Sequence, residues 1–253
     1  MNALICIDDT DNLDSIGTGE LLEKLCFELK IKSLASAGFV SRHQLYVHED
    51  IPYTSHNSSM CAKLETSWES WDQVVGFCEN YLERNAAKGS DPGLCFVQTD
   101  MISDSAKQEL ISFGKSAKET VLHKKAAYDL ASIYGKEIHL SEHGGTGGGV
   151  IGALAGCGLR LYGSDGRLKG KIKPEDSQGI WPAGEICEKY GFSRLITDDY
   201  SDIDPKDPVA LIPEIKPILW EHEPVVMVEA WNDSRAPWKI ISKNDLNRKR
   251  IGR

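Results

Sequence analysis

The sequence predicts an α/β to α+β protein in two lobes, and three observations carry that prediction. A short apolar run, Ala3–Ile7, ends in a cluster of acids and gives way to a helical pattern, so the chain opens strand, acidic loop, helix. Residues 59–98 read strand, helix, strand, the first half of a ferredoxin-like layer. Eight of the 23 glycines fall in residues 144–158, more than one turn needs, which marks a special loop before a helix.

Composition sets the outer limits. Of 253 residues, 41% are hydrophobic and 26% charged, enough apolar material for a buried core and unlike disordered or collagen-like chains. No apolar run approaches the ~18 residues of a membrane span, and no basic region precedes Asp8, so neither a membrane segment nor a secretory signal is expected. The expectation is a cytoplasmic protein. Its seven cysteines are widely spaced with no C-x-x-C, so they read as buried reduced thiols, not as a zinc ribbon or a disulfide frame.

In order, the elements justify themselves locally. After the first strand, Leu21, Leu22, Leu25, Cys26 and Leu29 share one helical face from Gly19 onward, with Thr18 where an N-cap belongs and Glu20 in the first turn. Gly38–His48 and Ser59–Leu64 have strand character, joined by a polar loop through residues 51–58. Trp68–Arg84 has helical spacing, and Leu94–Gln98 is a strand entered through Asp91-Pro-Gly93. Residues 104–135 are helical in at least two pieces, residues 159–173 suit a hairpin around Gly163–Gly166, and 209–212 and 225–228 are short strands. Trp181, Trp220, Trp231 and Trp238 are read as core, not as stacking platforms for bases.

Three carboxylates within Asp8-Asp9-Thr10-Asp11 repel one another unless a cation or hydrogen-bond donors relieve them. Magnesium is the natural hard partner, taking oxygen ligands together with water and substrate phosphates. An acidic turn that complements a helix dipole is the plainer alternative. Asp9-x-Asp11 also fits half of an aspartyl-nucleophile phosphatase loop, but Leu13 stands where that loop wants Thr or Val. Gly17-Thr18-Gly19 offers close backbone approach and helix amides for phosphate, and Thr18 is either a phosphate acceptor or a helix cap. In the later glycine loop, Gly147, Gly148 and Gly149 are candidate cofactor-binding positions, although the loop is neither a Walker A nor a dinucleotide fingerprint. Tyr53, Thr54, Ser55, His56, Asn57 and Ser58, rich in donors and acceptors and poor in charge, suit a small polar substrate.

Ile5–Asp11, Thr18, Ile51-Pro-Tyr53, Asp91-Pro-Gly93, Gly149–Ala155 and Asp207–Pro213 occur in the order in which similar motifs occur in the archaeal tRNA agmatidine synthetases (TiaS), which this chain resembles from about residue 3 to about residue 220. That family couples agmatine to a cytidine of an isoleucine tRNA with ATP and magnesium. The resemblance implies a kinase-like lobe in which Asp8, Asp9 and Asp11 are metal and phosphate ligands and Thr18 matches a threonine that becomes phosphorylated. The family continues into an oligonucleotide-binding barrel and a zinc ribbon, whereas this sequence ends at 253 without zinc-ligand spacing. Arginines of the family's motifs are replaced by His56 and Gly148, and its upstream basic residues by His43 and Tyr46.

Charge bears on the substrate. Residues 1–100 hold 7 Lys/Arg against 16 Asp/Glu, and the remainder is balanced, so a nucleic-acid partner is not expected for the chain alone. The reading is therefore an ATP- and magnesium-dependent phosphotransfer-type enzyme, kinase- or ligase-like, acting on a small substrate; a homo-oligomer is compatible with it. A non-catalytic nucleotide or small-molecule binder and a tRNA-modifying enzyme working with a partner chain are the alternatives. The expected layout is discontinuous. Residues 1–57 and 104–200 form the nucleotide-binding lobe, and 58–103 with 201–253 form an abbreviated ferredoxin-like lobe.

Overall fold

Strand β1 (Asn2–Asp8) is the spine of the first half of the molecule, buried on both faces from Ala3 onward. The computed structural model describes residues 1–51 and 56–252, and the chain divides into two units, 1–162 and 163–253. In the first unit β1 is followed by α1 (Thr18–Ile31), β2 (Ala35–Gln44), β3 (Ser58–Thr66), α2 (Trp71–Asn85) and β4 (Gly93–Gln98). Then come α3 (Asp104–Ser116), α4 (Lys124–Ile133), β5 (Ile138–Glu142) and α5 (Gly149–Tyr162).

The five strands run in the order β5-β4-β1-β3-β2, every neighbour antiparallel. Alternation along β1 explains the layers on either side. Ile5 and Ile7 join α1 and α2 in one core through Leu22, Leu25, Val74 and Leu82. Leu4 and Cys6 face the other way, into a second core with Leu110 of α3, Leu130 of α4 and Leu154 of α5. Each such side chain, removed from water, contributes roughly 1.5–3 kcal/mol.

This arrangement replaces the discontinuous layout. β1-α1-β2 and β3-α2-β4 interleave as two split β-α-β units within residues 2–98, so the partner of the 59–98 segment is the N-terminus, not residues 201–253. The reason is pairing. β1 lies between β3 and β4, with Cys6 opposite both Cys61 and Cys95.

The second unit contains β6 (Arg167–Leu168), β7 (Ile180–Pro182), α6 (Ala183–Tyr190), β8 (Arg194–Ile196), β9 (Pro208–Ala210), β10 (Ile218–Trp220), β11 (Glu223–Asp233), β12 (Ala236–Ile240) and α7 (Lys243–Arg248). Its strands follow the order β6-β10-β11-β12-β9-β7, with β8 parallel to β11. The hairpin expected at 159–173 is absent: 159–162 finish α5, whose apolar run continues until Gly163 at φ +84 stops it, and β6 pairs with β10 instead. The expected 38–48 strand stops at Gln44, because Leu45 and Tyr46 donate their amides to Asn57 and Ala117 carbonyls. Trp181, Trp238 and Trp220 are half-buried against the unit's two cores, whereas Trp231 carries Arg235 and Lys239 over its ring. Among the described residues no helix is long and apolar enough to cross a membrane.

Candidate functional site

At the end of β1 the strand delivers Asp8 to the α5 side of the sheet, where the residue is buried, 9% exposed. Asp9 follows in the left-handed region, φ 51, and turns the chain toward α1. The turning loop is fastened by the Ala87 amide, which donates to the Thr10 carbonyl at 2.9 Å, and by Asn12, whose side-chain amide donates to the Lys88 carbonyl at 3.3 Å.

The first turn of α5 lies directly against this loop. A Cβ on Gly152 would stand 1.7 Å from Asp8 Oδ2, so only glycine lets the helix approach so closely. A Cβ on Gly149 would stand 2.3 Å from the Asp91 carbonyl oxygen. Asp91 in turn holds the glycine loop. Its Oδ1 accepts from the Thr146 amide at 2.5 Å, its Oδ2 accepts from the Thr146 hydroxyl at 2.7 Å, and its carbonyl accepts from the Gly149 amide at 3.0 Å.

The product is a cleft of about 220 Å³ lined by the polar Asp8, Asp9, Asp11, Asp91, Thr18 and Thr146 and by the apolar Leu45, Ile51, Leu122 and Ile151. None of its described lining residues is a lysine or arginine. Burial, then the charges of Asp9 and Asp11, push the Asp8 carboxyl up to about 8, despite a backbone hydrogen bond that favours its ionised form. Burial, then the neighbouring Asp91 and Asp11, push Asp9 up to about 6. Among the described residues no three of these carboxylates bring oxygens within 4.8 Å of one another, and both Asp91 oxygens are held by Thr146, so a hard cation here would draw on Asp8, Asp9 and Asp11 only with rearrangement of the loop.

A folded-state value above the ordinary 3.8 means that the folded protein binds protons more tightly than the unfolded chain. These groups therefore cost no stability below about pH 4, and their cost grows as pH rises toward about 8. For Asp8 the full cost is on the order of 5 kcal/mol. Urea unfolding in a chelator should show stability falling between pH 5 and pH 8, with millimolar magnesium restoring most of the loss at pH 8 and little at pH 5. A metal-independent profile would remove the cation from this cleft.

Thr18 is the first residue of α1, not its N-cap. Gly17 takes the cap position without a side-chain bond, which frees the Thr18 hydroxyl for other partners. That hydroxyl donates to Asp11 Oδ1 at 2.9 Å and accepts from the Thr10 hydroxyl at 3.1 Å. Its proton thus points at a carboxylate, the geometry a hydroxyl needs to act as an acceptor in group transfer.

Of the residues expected at the site, Asp8, Asp9, Asp11, Thr18, His56, Asn57, Ser58, Gly148 and Gly149 line this one cleft. Tyr53, Thr54 and Ser55 lie outside the described residues. Asn57 and Ser58 have structural partners: the Asn57 amide donates to the Tyr46 carbonyl at 2.5 Å, and Ser58 Oγ accepts from Arg42 at 3.0 Å. Gly17 and Gly19 are not among the lining residues, and Gly147 turns to the Lys124–Glu142 pair, where a Cβ would strike Glu142. Asp91, Thr146 and Gly152 escaped the sequence reading as site residues. Asp91 looks like an ordinary turn residue before Pro92, and the signal that could have flagged it is the place of Asp91-Pro-Gly93 among the motifs that carry the family resemblance.

No protein-family model matches the chain, and no curated protein matches it. Solved structures do. A complex of TiaS with tRNA and ATP aligns with TM-score 0.55 and 19% identity over 85% of this chain and 52% of its own. TiaS without ligands, described as a tRNA agmatidine synthetase, aligns with TM-score 0.54 and 18% identity over 85% and 51%. A tRNA fluorescent labeling enzyme aligns with TM-score 0.52 and 21% identity over 76% and 45%. The chain shares their fold and spans about half the length of each.

Proposed function

We propose that the first unit is the core of an ATP- and magnesium-dependent phosphotransfer enzyme, kinase- or ligase-like, with a ferredoxin-like layer carrying the site. One observation carries this reading. Asp8, Asp9, Asp11 and Asp91 meet in a single cleft without lysine or arginine among its described residues, beside a threonine hydroxyl that donates to one of them.

Asp8, Asp9 and Asp11 would hold magnesium, which when bound supplies charge neutralisation for phosphate oxygens. Asp91 fixes the glycine loop so that Gly148 and Gly149 present their backbone beside the same space. Asp11 accepts the Thr18 proton bond and orients that oxygen as the phosphate acceptor. Leu45, Ile51, Leu122 and Ile151 supply apolar lining that would limit the water around the transferred group.

A small-molecule substrate fits the acidic first hundred residues. A tRNA substrate has its own support, since similar folds are those of TiaS, solved with tRNA, and of a tRNA labeling enzyme, which counts against dismissing nucleic acid. Thermal shifts measured with nucleotides, with and without magnesium, test the central reading. ATP with magnesium is expected to raise Tm by several degrees and ATP alone by little, since a bound ligand stabilises by mass action. Equal shifts in the two arms would leave a nucleotide-binding protein without the metal role. Salt-sensitive binding of tRNA to the full chain would select the RNA substrate.

A further inference from the structure

The cysteines that looked unrelated in sequence are not unrelated in space. Cys6 on β1, Cys61 on β3 and Cys157 on α5 place their Sγ atoms within 4.8 Å of one another, all fully buried on the face opposite α1 and α2. Strand register produces half of this, since Cys6 stands directly across from Cys61. Gly156 produces the rest: a Cβ there would lie 2.4 Å from Cys6 Sγ and 2.5 Å from Ser59 Oγ, so α5 can press Cys157 onto the strands only because residue 156 is glycine.

We propose that Cys6, Cys61 and Cys157 form a trithiolate site for one soft divalent cation of the zinc class, separate from the carboxylate cleft. Three sulfurs about 2.3 Å from a central ion lie about 4 Å apart, so sulfurs already within 4.8 Å of one another need an adjustment of at most about 0.8 Å. Thiolate ligands select soft or borderline ions, just as the carboxylate cleft selects hard ones. Charge favours a divalent ion. Three thiolates around it leave one net negative charge, and the Arg160 guanidinium, 2% exposed, lies near enough to favour the Cys61 anion.

Two further features point the same way. Ser59 Oγ is fully buried beside Cys6 and has no hydrogen-bond partner, the kind of orphan that marks a group awaiting a thiolate or an ion. Although burial pushes it upward, the Cys61 thiol is brought well below the ordinary value by S–H bonds from Cys157 and Cys6 and by the charges of His43 and Arg160. Cys61 is thus the ligand most ready to lose its proton, and three S–H protons, one from each of Cys6, Cys61 and Cys157, leave to solvent as the ion binds. No electron is transferred.

Cadmium, a spectroscopic stand-in for zinc, tests this on the full reduced chain folded in its presence. One equivalent is expected to bind with ultraviolet thiolate-to-cadmium charge-transfer absorption. Cys61→Ser should weaken binding at least tenfold and diminish the band, while Cys187→Ser, in the second unit, should change neither. X-ray absorption on the unsubstituted chain keeps the test independent of any variant that fails to fold. Three sulfur neighbours, or four if Cys95 joins, support the site. Oxygen neighbours alone would place the ion in the carboxylate cleft and overturn it, as would a band unaffected by Cys61→Ser.

Discussion

Asp8→Asn is expected to lower magnesium-dependent ATP turnover by about 100- to 1,000-fold, the usual loss when a preorganised electrostatic contact is removed. The same substitution should make the metal-free protein more stable at pH 8. Asparagine has nearly the shape of the carboxyl and none of the charge that burial penalises, so the cost that pushes Asp8 up to about 8 disappears. A gain of a few kcal/mol in chelator, with the magnesium response reduced, is the expected pair of results. Stability given up to hold a functional charge is a common trade. Steady-state phosphate release and urea midpoints measure the two arms. Unchanged turnover, or a loss of both turnover and stability, would assign Asp8 to the fold alone.

Thr18→Val is the second large effect. Valine matches threonine in shape and removes only the hydroxyl that links Thr10 to Asp11. Turnover should fall at least 100-fold, and radiolabelled γ-phosphate should no longer appear on the protein, while α1 keeps its start because Gly17 supplies the cap. Losing the bonds to the buried Thr10 amide and hydroxyl and to Asp11 costs about 1–3 kcal/mol, which a urea midpoint measured beside the activity separates from the loss of turnover. Thr18→Ser should restore most activity, since it returns the oxygen. Full activity in the valine variant would leave Thr18 a structural residue.

Much of the first unit was legible because its elements announce themselves locally. The apolar run before Asp8, the leucine face of α1, the turn at Asp91-Pro-Gly93 and the glycine loop each fall where the structure has them. Pairing was not legible. Nothing local tells β1 to lie between β3 and β4, so the 59–98 segment carries no mark of its true partner, the N-terminal strand. The cleft shows the same division. Asp8, Asp9 and Asp11 are adjacent in sequence and could be found together, whereas Asp91 and Thr146 reach them only through tertiary contact. Thr18 illustrates the limit of a capping rule: a shift of one residue moved its hydroxyl from its own helix to Asp11. The cysteine cluster was hidden for the same reason, its members being drawn from two paired strands and a helix far along the chain.

The two-sided burial of β1 has a dynamic consequence. Its alternate side chains are locked into two different cores, so the strand cannot detach, or slide by one position, without breaking both at once. Whatever loop motion admits a ligand must therefore occur beyond Asp8, while the carboxyl itself rides on a segment whose amides are expected to be among the last to exchange with solvent. The charge that the cleft presents is held at a fixed point, and adaptation is left to the loops around it.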